Sequence, residues 1–173
     1  MRRSKFAAAL TAAVALSAAV ASGAAAATLS PSYQVAGFAF GASQGTASSF
    51  TGFATGSLGD RGLVRATVVH DPLAGCSTVG TSCAVTGGTL NLNSNNGSSL
   101  AGTFNGGSIT LSAQAPGCGR QQYTLDGWAA VSAGNTVELN AVLTTLRVPF
   151  RGGCLTLATS VQGTLAFATV AGG

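Results

Sequence analysis

Charge is what this chain has least of. Charged residues make up 7% of its 173 residues and aromatics 6%. So little charge excludes a charge-rich disordered chain, a coiled coil and a nucleic-acid-binding surface. There is one histidine, which excludes a histidine-rich metal site, and one tryptophan. After residue 27 there is no lysine at all, which removes lysine-based catalysis. Helix-start and helix-stop signals are nearly absent too.

What is present is apolar (46%) and rich in glycine, with 25 residues. Much of the apolar share is alanine in residues 1–27. That stretch begins Met1-Arg2-Arg3-Ser4-Lys5, runs apolar from Phe6 to Val20, and ends Ala24-Ala25-Ala26-Ala27. A basic start, an apolar centre and an A-x-A exit predict a secretory signal peptide over 1–27. Cleavage is expected after Ala27, with Ala21 as a second fitting position. The alternative, an uncleaved anchor, is disfavoured because alanine is weakly hydrophobic and the run is interrupted. The rest, 28–173, is read as one domain.

The leader also accounts for the basic balance. Past residue 27 only Arg61, Arg65, Arg120, Arg147 and Arg151 face Asp60, Asp71, Asp126 and Glu138, a net charge of +1. No polyanion partner is implied, and nucleic acid is not expected. With the leader removed, no transmembrane segment remains. Secretion, extracellular or periplasmic, is the expected localisation.

All four cysteines, Cys76, Cys83, Cys118 and Cys154, lie past the leader. In an exported chain an even number reads as disulfides. The favoured pairing is Cys76–Cys83 with Cys118–Cys154. The first would staple a Gly/Ser/Thr-rich loop; the second would join two similar contexts, Gly117-Cys118-Gly119-Arg120 and Arg151-Gly152-Gly153-Cys154. Chain entropy gives about 2.5 kcal/mol for the short loop and about 4 kcal/mol for the long one. A zinc site would want paired C-x-x-C ligands, which these spacings do not supply. Neither a metal nor a cofactor is expected.

Alternation of facing dominates the remainder. Leu155, Leu157, Thr159, Val161, Gly163, Leu165 and Phe167 fall on one face of a long strand, Cys154 to Thr169. Further strands are read over 33–40, 46–55, 61–70, 83–93, 100–104 with 109–111, 121–131 and 136–148. Asn96-Gly97 suits a type I′ turn. At Asn105-Gly106-Gly107 the apolar positions switch from even to odd, which predicts a bulge or a second turn. Arg65 lies in a strand apolar on both faces, so it is expected to be buried, with Glu138 as its partner. A weak internal repeat at an offset of 75 relates Gly52-Phe53-Ala54 to Gly127-Trp128-Ala129 and Gly88-Thr89-Leu90 to Gly163-Thr164-Leu165. The expected fold is all-β: a single antiparallel barrel of about eight strands, preferred over a two-sheet sandwich because closure removes edges that so little charge cannot protect.

Candidate chemistry is sparse. Gly41-Ala42-Ser43-Gln44-Gly45 fits the nucleophile-elbow pattern, but no helix signal follows it. His70-Asp71-Pro72 pairs the sole histidine with an acid. Neighbours on a strand face opposite ways, so the expectation is a histidine packed with Ala66 and Val68. Trp128, Asp126 and Gln122 share one strand face, a combination that holds sugars and amphipathic molecules by stacking and polar contact. If Cys118 bridges Cys154, then Arg120, Arg147 and Arg151 gather near one rim and could bind an anion. No pair of carboxylates is placed for glycoside hydrolysis. The functional expectation is a non-catalytic binding or envelope-associated domain with a glycan, a small amphipathic molecule or a protein as partner. The alternative is a small secreted barrel enzyme, hydrolase or isomerase, with polar residues at one mouth. An outer-membrane barrel fits poorly, for want of apolar bands and aromatic girdles.

Overall fold

A computed structural model describes residues 29–40, 45–131 and 135–168. The predicted leader and the Gly41–Gly45 motif's serine lie outside them. Eight strands follow one another around a closed antiparallel barrel, each paired with its sequence neighbours and the last with the first. They are β1 (Ser32–Phe40), β2 (Ala47–Gly56), β3 (Arg61–His70), β4 (Ser82–Ser94), β5 (Ser99–Gln114), β6 (Gln121–Val131), β7 (Thr136–Phe150) and β8 (Gly153–Ala168). The barrel preferred from sequence is therefore the observed fold, and both favoured disulfides are formed.

Alternation fills the interior. An eight-stranded barrel is just wide enough for side chains to occupy its centre. Tyr33, Leu90, Leu92, Phe104, Leu111, Leu139 and Leu165 do so here and are fully buried. The facing switch in β5 is a bulge within one continuous strand, between Phe104 and Gly106. Gly107 there has φ +138°, and a Cβ on it would meet the Asp126 carbonyl at 2.2 Å. Before the bulge Leu100 and Phe104 point inward; after it Ile109 and Leu111 do.

The offset of 75 has a spatial meaning. It carries β2 onto β6, β3 onto β7 and β4 onto β8, each four strands around the barrel. The paired positions Ala54 and Ala129, and Leu90 and Leu165, are all core residues.

An even strand count places the start of β1 and the end of β8 at one end. At that end two five-residue turns recur, Gly56–Asp60 and Ser94–Ser98. In each the first N–H donates to the fifth carbonyl, at 2.7 and 2.8 Å, and at the same end Val131 N–H donates to the Asn135 carbonyl at 3.0 Å. In both turns the fourth residue is a left-handed glycine, Gly59 (φ +88°) and Gly97 (φ +86°). The type I′ expectation at Asn96-Gly97 is corrected by this geometry. Asn96 keeps a negative φ, and Gly97 N–H closes a type I turn on Ser94 before Gly97 itself goes left-handed. The opposite end carries a 3₁₀ turn (Leu73–Cys76), the 115–120 loop and a two-residue hairpin, Arg151-Gly152 (φ +47° and +78°).

Two further expectations are corrected. Arg65 is exposed, paired across the outer wall with Thr51 and Asn91, while Glu138 lies on β7, four strands away. A single closed sheet has nothing covering its outside, so the second apolar face of β3 meets solvent, with Leu63 46% and Val69 38% exposed. Leu155 and Leu157 are also exposed, although Thr159, Val161 and Leu165 below them are buried. The β7–β8 register shifts between Leu146 and Arg147, so that Leu146 pairs with Ala158 but Arg147 with Thr156. Leu157 is the extra residue, and above it the facing is reversed.

Candidate functional site

The core changes character toward the disulfide-bearing end. Inward positions that are leucine and valine lower down become Ser48, His70, Thr145 and Thr159, all buried. Thr145 and Thr159 are cross-strand partners, and their hydroxyls hydrogen-bond at 3.0 Å. His70 is 2% exposed. Its Nδ1 lies 2.8 Å from the Asp71 carbonyl, which can only accept, so Nδ1–H donates. Its Nε2 is then the acceptor for the Ser48 hydroxyl at 2.9 Å. The Asp71 side chain takes no part, as strand alternation requires, and the ring packs inside with Ala66 and Val68.

Above this polar layer the barrel mouth opens into two adjoining cavities. One, of about 320 Å³, is lined by Phe38, Ala39, Phe40, Leu157 and Ala158, with Thr145 and Thr159 also on its wall. The other, of about 400 Å³, lies beneath the 3₁₀ turn and is lined by Leu73, Ser77, Arg147, Cys154 and Leu155. Gln121, Tyr123 and Thr156 border both. The first compartment is mainly apolar and the second mainly polar. Both volumes fall at the small end of ligand sites, which run from roughly 300 to 1,000 Å³.

Local structure explains the opening. The β7–β8 hairpin and the β5–β6 pair run past the top of β1, so the rim is uneven. The Cys118–Cys154 bond ties the β5–β6 loop to that hairpin, and Cys76–Cys83 fixes the 3₁₀ turn to β4. Tyr123 is half-buried; burial pushes its phenol above the ordinary value, and the positive charge of Arg147 acts in the opposite sense.

The residues singled out from sequence are distributed differently. Trp128, Asp126 and Gln122 do share a face, and it is the outer wall of β6. Trp128 is 49% exposed and lies across the bulge of β5, where a Cβ on Gly106 would come within 2.6 Å of the indole. None of the three lines the mouth. Of the arginines, Arg147 lines the polar compartment, Arg120 lines a shallow groove on the outer wall beside Leu146, and Arg151 caps the hairpin with its guanidinium 5.3 Å from the Phe150 ring. All three sit at the disulfide end without forming one cluster. Tyr123, Gln121, Thr145 and Thr159 were not singled out from sequence. The available signal was a polar side chain at an inward position of a strand whose other inward residues are mostly apolar.

A second polar cluster lies at the opposite end. The Asp60 carboxylate accepts hydrogen bonds from Tyr33 Oη at 2.7 Å, Ser94 Oγ at 2.9 Å and Ser30 Oγ. Ser30 Oγ accepts from Leu58 N–H at 3.0 Å. The hydroxyl donors, Ser30 foremost, hold the Asp60 carboxyl below the usual carboxylate range. Tyr33 is pushed up to about 12, by burial first and then by its bond to Asp60. This cluster joins the strand ends and borders neither mouth cavity.

No known protein family, curated protein or solved structure matches the chain. Among the described residues no helix is long and apolar enough to cross a membrane, and no three metal-ligating side chains converge.

Proposed function

We propose that this is an exported, non-catalytic binding domain whose ligand site is the barrel mouth at the disulfide end, and that its ligand is a small amphipathic molecule. The observation that carries this reading is the pair of adjoining compartments, one apolar around Phe38, Phe40 and Leu157, one polar around Arg147, Tyr123 and Gln121. A molecule with both characters satisfies both at once.

Export is supported by the leader pattern of residues 1–27 and by two disulfides, which persist in oxidising compartments. A non-catalytic role is supported by His70, whose buried ring meets the Ser48 hydroxyl and a main-chain carbonyl but lines neither mouth cavity. A nucleophile and base need access to substrate. The outer wall argues against a lipid-facing barrel, since Arg65, Asn91, Asn93, Asp126 and Glu138 all project from it.

Backbone-amide NMR during titration with neutral and charged amphipathic fragments tests the site. Shifts are expected to cluster at residues 38–40, 121–123, 145–147 and 156–159. The variant Ala158→Trp, at an exposed position lining the apolar compartment, is expected to abolish them while leaving the spectrum folded. Shifts centred on Trp128, or unaffected by Ala158→Trp, would overturn the assignment.

A further inference from the structure

Resting on that reading of the mouth, we infer that the ligand is an amphipathic anion, its carboxylate or sulfate head held by Arg147 and its apolar part lodged against Phe38, Phe40 and Leu157.

Arg147 is partly buried and lines the polar compartment. It forms no ion pair among the described residues. A guanidinium withdrawn from water without a carboxylate partner is costly, and an anion arriving from solution removes that cost. The four acids of the domain do not serve. Asp60 is engaged at the other end by Tyr33, Ser94 and Ser30, and Asp126 and Glu138 project from the outer wall. Asp71, the one acid at this end, is exposed beyond β3 and lines neither mouth cavity.

The groups around Arg147 suit an oxyanion. Ser77 and Thr156 offer hydroxyls and Gln121 an amide N–H₂, all of which can donate to it, while the Tyr123 hydroxyl donates to Gln121 Oε1 at 3.4 Å on the same wall. A planar guanidinium presents paired N–H groups that match carboxylate and sulfate oxygens. Three of the five arginines in the domain lie at this end, giving the rim a positive field that favours encounter with an anion. The adjoining apolar compartment of about 320 Å³ limits the tail to a medium-length alkyl chain or a single small ring system.

The test uses four probes of one chain length, namely decanoate, decyl sulfate, decanol and decyltrimethylammonium, titrated by calorimetry into the purified protein below their micelle concentrations. Both anions are expected to bind at least about tenfold more tightly than decanol, with the cation weakest. Arg147→Gln is expected to remove that advantage, roughly tenfold to a hundredfold, so that the anions bind the variant no more tightly than decanol binds the same variant. Decanoate and decyl sulfate separate a carboxylate from a sulfate preference. Equal binding of anions and decanol to the unaltered protein would overturn the anion inference and leave the mouth as an amphipathic site. Binding of none of the probes, or anion binding indifferent to both Arg147→Gln and Ala158→Trp, would overturn both readings. The comparison among probes on the unaltered protein requires no variant to fold.

Discussion

The two ends of the barrel solve the same problem differently. Each must terminate eight strands and close off a core of leucine and valine. The end holding the start of β1 does so with two turns of equal length, Gly56–Asp60 and Ser94–Ser98, and a partly exposed carboxylate acceptor, Asp60, that gathers hydroxyls from β1, β4 and the segment before β1. The opposite end has connections of unequal length, from the two-residue Arg151-Gly152 hairpin to the segment between β3 and β4, and it is held by covalent bonds. Its core gives way to a polar layer and then to open cavities. An end closed by short turns has no room for a ligand. An end whose loops are cross-linked can stay open without unravelling, and open space with convergent polar groups is what binding needs.

The sharpest way to break this contrast is to cut the cross-links. Replacing Cys118 and Cys154 together by serine is expected to cost about 4 kcal/mol by chain entropy, read from denaturant unfolding, and to abolish binding at the mouth. Replacing Cys76 and Cys83 together is expected to cost about 2.5 kcal/mol. If either double variant is as stable as the parent, the covalent account of that end fails.

The other end should respond to pH instead of reductant. Tyr33→Phe removes a buried hydroxyl bonded to Asp60 and is expected to cost about 1–2 kcal/mol at neutral pH. Because Asp60 titrates lower in the folded state, its contribution is present above the unfolded value of about 3.9 and is lost as pH falls through the folded one. Tyr33 titrates higher in the folded state, about 12, so its contribution is present below about 10 and is lost as pH rises through 12. Asp60→Asn should therefore flatten the acid limb of a Tm-against-pH curve, and Tyr33→Phe the alkaline limb. Unchanged limbs would remove the Asp60 cluster from the stability of that end. The smallest effect is expected at Trp128→Ala, within about 1 kcal/mol, because a half-exposed side chain over Gly106 acts as a cross-strand cover on the wall between the ends.

The architecture was largely legible from the chain. Apolar residues two apart in β2, β6 and β8 declare one wet and one dry face, and the switch at Asn105-Gly106-Gly107 located the bulge in β5. The disulfide pairing followed from the similar loop contexts around Cys118 and Cys154. The site was much less legible. Arg120, Arg147 and Arg151 are close in sequence to that disulfide, yet they end in a wall groove, a cavity and a hairpin tip. Trp128 stood out by rarity and lies on the outer wall against Gly106, away from both mouth cavities.

Facing is a local property. Each residue's side is fixed by its neighbours along the strand, so the sequence alone determined the strands, the identity of most inward side chains and the closure that protects them. Register and rim height are relations between strands distant in sequence. Only the assembled barrel decided that Leu157 would be the surplus residue opposite Leu146 and Arg147, that Thr145 would meet Thr159 beneath the mouth, and that Tyr33 would find Asp60. Each depends on how many residues separate two turns, a quantity no periodicity encodes.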